Sequence, residues 1–146
     1  MRVSFFAIVF NLIYFFYKML NTYWYILDSL FVIVHTFIIL FNLTGWIWRR
    51  SRTLHLISVL STGASWLFLG LFYGLGYCPL TDWHYSVLNI LGVYDMPTSY
   101  IQYLIKRLTN VDVSAQLIDN ATLIGYLFAL AFSVYFNFFF SRKCKN

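Results

Sequence analysis

The sequence predicts an all-α membrane protein, a polytopic transmembrane helical bundle. Hydrophobic residues make up 61% of the 146 residues, aromatic residues 23% and charged residues only 10%. A soluble domain of this size has too little interior to hide so much apolar surface. The sequence contains neither repeats nor a linker-like stretch, so residues 1–146 are expected to form a single membrane domain.

Long apolar runs predict the membrane spans. The three strongest cover residues 24–48, 54–77 and 120–140. The first of them would form a helix of roughly 37 Å, long enough to cross the hydrocarbon core, and it has tryptophans at both ends as interface anchors. A fourth, tilted span is predicted over residues 3–20. The alternative is a natural start at Met19, with residues 1–18 as an added extension.

Basic residues predict the orientation of the spans. They form two clusters beside apolar runs, Arg49, Arg50 and Arg52 in the first connection and Arg142, Lys143 and Lys145 after the last run. Such clusters favour the cytoplasmic side, so we expect a multi-pass protein of the bacterial inner membrane with a cytoplasmic C-terminus. This placement accounts for the net charge of +5 without nucleic acid. The lipid bilayer is the expected partner.

Residues 78–119 then form an outer loop that contains short interfacial helices. Pro79 should end the second span, because proline disfavours a helical conformation in the residue before it. Thr81 can cap a new helix, with Asp82 in its first turn. A second surface helix is predicted from Ser99, because apolar residues follow it at helical spacing up to residue 108.

The start of this loop is the candidate outer-face site. It contains Cys78, Pro79, Thr81, Asp82 and His84. A thiolate, a carboxylate and an imidazole together can bind a transition metal or carry out redox chemistry. Their spacing matches no standard zinc pattern, and helix termination alone also explains the motif. No metal or cofactor is therefore expected.

Polar residues inside the spans are the second set of candidates. Asp28, His35 and Asn42 recur every seven residues and form a polar stripe along the first long helix. One interpretation is a hydrogen-bonded seam to neighbouring helices, and the other is a proton path or a ligand-binding cleft. His55 begins the next span. Its depth differs from that of His35 by very roughly 15 Å, so one haem iron cannot join the two.

Several of these features occur together in a known family. They are the arginine turn, His35, the Leu54 to Leu56 segment "LHL", the "CPLT" motif from Cys78 to Thr81, and a terminal apolar helix. The chain resembles a family of small bacterial inner-membrane proteins of unknown function, over roughly residues 23–140. Members often have an acidic residue where this chain has His84. The resemblance implies fold and location and carries over no catalytic residue.

The sequence favours a small integral membrane protein without enzymatic activity. It would act as an accessory subunit of a membrane complex or bind a hydrophobic, lipid-like ligand. Signatures of phosphate-binding loops, dinucleotide sites and serine nucleophiles do not occur in the sequence. The alternative is a membrane redox or metal-dependent enzyme that works at the outer face through residues 78–84.

Overall fold

The computed structural model describes residues 5–74 and 76–140, and the regular elements in those ranges are helical. In chain order they are α1 (Phe5–Thr44), α2 (Arg52–Ala64), α3 (Gly70–Tyr73), α4 (Pro79–Ile90), α5 (Tyr100–Thr109) and α6 (Ala115–Val134). A π-helical turn, Ser65–Leu69, joins α2 to α3, and another, Tyr135–Phe140, extends α6. The predicted all-helical class is confirmed.

Three helical stretches of the described residues are long and apolar enough to cross a membrane. They are Ile13–Thr44, Arg52–Tyr73 and Ala115–Phe139. Their outward side chains are largely apolar and exposed, as expected of helices that face lipid. These stretches contain the cores of the three strong spans that the sequence predicts.

The N-terminal half of α1 differs from the sequence prediction. Residues 3–20 and 24–48 were expected to form two helices, but Phe5–Thr44 is one uninterrupted helix of 40 residues. Neither proline nor glycine occurs in this stretch, so nothing in the sequence interrupts its backbone hydrogen bonds. A rod without a turn crosses a bilayer only once, and the described residues therefore do not form a separate fourth span. Residues 1–4 lie outside the described part.

The turn after α1 is fixed by side chains that bind its carbonyl groups. The Ser51 hydroxyl donates to the carbonyl of Gly45 at 2.8 Å, and Nε of Arg52 donates to the carbonyl of Trp46 at 3.2 Å. These bonds satisfy acceptors that the end of a helix leaves unpaired. Gly45 is buried, and a Cβ there would lie 2.8 Å from the ring of His55. The close approach joins α1 and α2 as a tight hairpin.

The second span ends earlier than predicted. Residues 54–77 were expected to be helical, but α3 stops before Gly74, whose φ of +104° lies in the region that favours glycine. The chain turns at this point, and α4 begins with Pro79 in its first turn. Cys78 is the residue that precedes this helix, so Thr81 lies inside it and is not its cap.

The segment predicted as a loop over residues 78–119 contains α4 and α5. The second surface helix was expected from Ser99, and α5 does follow Ser99 directly. It ends where Asn110 adopts a left-handed conformation with φ of +57°. Tyr100 and Leu104 are buried, whereas Leu108 is exposed. One face of α5 therefore packs against the bundle.

Small residues place α6 against the other spans. Ala129 and Ser133, two small residues four positions apart in α6, are buried. Where α6 meets the end of α1, Trp46 stacks on Phe132 and Phe136 with ring centroids 4.7 and 5.5 Å apart. The helix begins at Ala115, five residues before the predicted start, because no proline or glycine separates residues 115–119 from the span.

Gly63→Ala is expected to lower the free energy of unfolding by about 2 kcal/mol. A Cβ at this position would lie 2.0 Å from the hydroxyl oxygen of Tyr126, which donates to the carbonyl of Val59 at 3.2 Å. The control is Gly125→Ala, whose Cβ would meet Leu43 at an ordinary 3.4 Å. SDS titration of both variants in mixed micelles measures the difference, and equal losses would contradict the packing argument.

Candidate functional site

The main polar site joins α1, α4 and α5. We call it the Asp28 cluster, and it consists of Asp28, His84, Tyr100, Tyr103 and Arg107. His84 is fully buried, and Asp28 and Tyr100 are 6% exposed each. The hydrogen bonds to Asp28 join residues separated by 56 and 79 positions in sequence. The cluster therefore fixes the two peripheral helices onto the long helix.

The Asp28 carboxylate is the centre of the cluster. The Arg107 guanidinium donates one bond to each carboxylate oxygen, at 2.7 and 2.8 Å. Nε2 of His84 lies 2.8 Å from Oδ1 of the same carboxylate. Arg107 also donates to the hydroxyl of Tyr103, and its bond to Asp28 raises its pKa. Bidentate ion pairs between arginine and a carboxylate combine charge with fixed geometry.

The contacts of His84 define its protonation state. Nε2 faces a carboxylate, which only accepts, so this nitrogen carries the proton. Nδ1 lies 2.9 Å from the hydroxyl of Tyr100 and accepts a hydrogen bond from it, and burial raises the pKa of that hydroxyl. Burial of the imidazole lowers the pKa of His84 below 6.5, and the bond to Asp28 offsets this only in part. His84 is therefore neutral at pH 7.

Acidification is expected to destabilise the protein through His84. Because the pKa of this residue is lower in the folded state, the unfolded state binds more protons below about pH 6.5. The stabilisation is present above that pH and is lost as the pH falls. Melting temperatures in detergent between pH 7.5 and 5 should show a decline that is smaller in His84→Gln. An identical decline in both proteins would exclude His84 as its source.

His35 lies beside the Asp28 cluster and is not hydrogen-bonded to it. Its ring stacks on Tyr100 with centroids 3.8 Å apart, and the residue is 7% exposed. Among the described residues, Nδ1 of His35 is the buried side-chain polar atom without a hydrogen-bond partner. The predicted seam therefore does not run through His35 as a chain of hydrogen bonds. Its contact with Tyr100 is made by ring stacking.

The other end of the polar stripe forms a second site. Nε2 of His55 donates to the backbone carbonyl of Asn42 at 2.8 Å, and Nδ1 accepts from the Ser133 hydroxyl at 2.9 Å. The Asn42 side chain accepts from Ser58 at 2.6 Å and donates to Thr62 at 2.9 Å. His55 is fully buried. It caps a carbonyl near the end of α1 and links three helices.

The residues of the predicted outer-face site separate in the structure. His84 turns into the Asp28 cluster, whereas Asp82 is exposed and accepts from the Tyr77 hydroxyl at 3.2 Å. Cys78 is a half-buried free thiol, and Pro79 and Thr81 form the first turn of α4. Within residues 5–74 and 76–140, no three His, Cys, Asp or Glu side chains gather as a possible metal site.

Sequence reasoning missed three members of the Asp28 cluster. Tyr100, Tyr103 and Arg107 all belong to α5, which was predicted as a surface helix with an apolar face. Their spacing of three, four and seven residues puts them on one side of that helix. The signal available in the sequence was a stripe of tyrosine and arginine side chains in one predicted helix, together with a carboxylate within a predicted span. Its partner helix could not be identified from the spacing alone.

The polar groups at the centre of the cluster bind one another. Both oxygens of Asp28 and both ring nitrogens of His84 have partners from the protein itself. A general base or a metal ligand needs a lone pair that can reach a substrate or a metal. Here Nδ1 of His84 and three acceptor positions of the Asp28 carboxylate hold α4 and α5 on α1. The arrangement stabilises the packing of the helices.

The comparisons with known proteins give a family but no activity. No curated protein and no solved structure matches this chain. A family model, described as a protein of unknown function and termed DUF2784, matches residues 25–138. The match begins within α1 and includes all of α2, α3, α4, α5 and α6, together with Asp28 and its partners. The chain therefore belongs to the DUF2784 family of proteins of unknown function.

Proposed function

We propose that this protein is a non-enzymatic accessory subunit of a membrane complex in the bacterial inner membrane. The observation that carries the proposal is that every carboxylate oxygen of Asp28 and every ring nitrogen of His84 has a partner within the protein. The buried polar groups of the Asp28 cluster bind one another. The cluster that is richest in titratable side chains therefore holds the helices together. The function then lies in the surfaces that the spans present to neighbouring proteins and lipids.

The spans offer such a surface on α1. Ile33 and Phe37 are each 66% exposed, one helical turn apart. A shallow groove on the same helix is lined by Thr22, Tyr25, Ile26, Ser29, Leu30 and Ile33. Its lining is mostly apolar, so it suits an aliphatic side chain of a neighbouring helix or the acyl chain of a lipid-like ligand. A transmembrane partner helix is the occupant that the accessory role requires.

Site-specific photocrosslinking in native membranes tests the accessory role. A photoreactive residue at Ile33 or Phe37 is expected to give a discrete adduct with one membrane protein. The control position is Ile57 in α2, which is similarly exposed at 56% and lies on another helix. The same diffuse lipid adducts at all three positions would contradict the accessory role and favour the binding of a lipid-like ligand.

The rival function is a redox or metal-dependent enzyme at the outer face around residues 78–84. Purification in mild detergent, followed by an absorption spectrum, metal analysis and native mass spectrometry, separates it from the accessory role. The accessory role predicts protein without stoichiometric metal or chromophore. A bound metal that is lost on Cys78→Ser and retained on Asp112→Asn would establish the rival and overturn our proposal.

The orientation proposed for this role places the arginine turn and the C-terminus in the cytoplasm. The reverse orientation would put the basic clusters outside the cell and the segment 78–119, which contains four aspartates, inside it. This arrangement runs against the insertion bias. Asp112 is 74% exposed at its side chain and lies between α5 and α6, so it reports this side well. In a cysteine-free background, Asp112→Cys is expected to react with an impermeant thiol reagent in intact cells.

The matching control for this labelling experiment is a chain that retains only Cys144. It should react only after lysis, because the C-terminal segment is expected inside. If Cys144 reacted in intact cells and the cysteine introduced at Asp112 did not, the topology would be reversed. This result would also place the Cys78 to His84 stretch on the cytoplasmic side.

A further inference from the structure

The acidic residues and the arginine turn lie at opposite ends of the bundle. All five acidic residues of the chain lie towards one end, at Asp28, Asp82, Asp95, Asp112 and Asp119. The arginine turn, which we define as residues 45–52, lies at the other end. Thr44 precedes this turn and is 16 residues beyond Asp28 in α1, about 24 Å along the helix. No acidic side chain of this protein therefore shares that end.

The backbone of the arginine turn is held in one shape. Ser51 bonds the carbonyl groups of Gly45 and Trp48 through its hydroxyl, at 2.8 and 3.1 Å. The guanidinium group of Arg52 lies 4.7 Å from the centre of the Phe136 ring, while its Nε bonds the chain at Trp46. These contacts anchor the turn to the ends of α1 and α6, so the residues between them are presented in a fixed arrangement.

The residues presented by this turn combine charge with apolar anchors. Arg49 and Arg50 are exposed, and so are Ile47 and Trp48, at 52% and 59%. Tryptophan side chains concentrate at the boundary between hydrocarbon and headgroups, where arginine side chains reach towards phosphate. The turn thus presents two guanidinium groups next to two side chains that favour the edge of the bilayer.

We propose that the arginine turn is a binding surface for the phosphate groups of anionic phospholipids. Guanidinium groups match phosphate oxygens in both charge and geometry. The chain supplies no carboxylate side chain at this end, and basic residues immediately beside a span bind anionic headgroups. The surface selects for lipid charge, and it is separate from the α1 face assigned to a protein partner.

Native mass spectrometry of lipids retained from mixed micelles tests this proposal. The probes are phosphatidylglycerol and phosphatidylcholine with the same acyl chains. We expect the full-length protein to retain phosphatidylglycerol on the order of tenfold better, and this preference to weaken as salt increases. The double variant Arg49→Gln/Arg50→Gln should lose the preference, whereas Arg49→Lys/Arg50→Lys should keep most of it because its charge is conserved.

The matched control for Arg50→Gln is Lys106→Gln. Lys106 is also exposed, but it lies at the acidic end and pairs with Asp112 at 3.2 Å, so its removal should leave the lipid preference unchanged. Equal losses in the two single variants, or an unchanged preference in the arginine double variant, would overturn the proposal. Displacement of phosphatidylglycerol by inorganic phosphate alone would also overturn it, because the site would then take a free anion.

Discussion

Replacing Asp28 by asparagine is expected to lower the free energy of unfolding by about 3 kcal/mol. The variant keeps the size of the side chain but removes the charge that pairs with Arg107 at 2.7 and 2.8 Å and accepts from His84. Arg107 is about one third exposed and can recover some hydration, which places the cost at the lower end for broken ion pairs. SDS titration in mixed micelles provides the measurement.

The control for this variant is Asp112→Asn. Asp112 also pairs with a basic residue, Lys106 at 3.2 Å, but both side chains are more than half exposed. An exposed pair of this kind contributes roughly 0 to 1 kcal/mol, so this variant should unfold close to the wild type. If Asp28→Asn were no more destabilising than Asp112→Asn, the Asp28 cluster would not stabilise the helix packing as the structure indicates.

His55→Ala is expected to cost about 3 kcal/mol at the opposite end of the bundle. The substitution leaves a cavity at a fully buried position and removes the donor to the carbonyl of Asn42 and the acceptor of the Ser133 hydroxyl. The loss should appear in the same SDS titration, with α1 and α2 packing less closely.

Leu54→Ala is the control for this second prediction. Leu54 is the neighbour of His55 in the chain but is 64% exposed, so its truncation leaves no cavity within the bundle. A similar loss of stability in both variants would show that the helix tolerates neither change. The buried hydrogen bonds of His55 would then not explain its effect.

The two ends of the bundle differ in how well the sequence predicts them. The stripe of Asp28, His35 and Asn42 was visible in the sequence, and the structure does give Asp28 and Asn42 partners on other helices. The partner of Asp28 on α5 was not visible, since Arg107 lies 79 residues away and looks like an ordinary surface cation of an amphipathic helix. Its role becomes apparent only when α5 is placed against α1.

The motif at residues 78–84 illustrates the same limit. Its helix boundary was predicted within a few residues, because proline restricts the residue before it regardless of the surrounding fold. Its grouping as a site was an inference from proximity in sequence. In the helix that forms, Asp82 points to solvent and His84 faces the bundle, so the two neighbours have entirely different partners.

The sequence by itself determined the helical class, the three helices long and apolar enough to cross a membrane, and the positions of the basic clusters. These features follow from local hydropathy, helix length and the positions of basic residues, which need no knowledge of neighbouring helices. Only the tertiary structure decided that α5 packs on α1 and that Asp28, His84 and Arg107 meet. Those contacts join distant parts of the chain, and distance in space is set by helix packing, which no local pattern encodes.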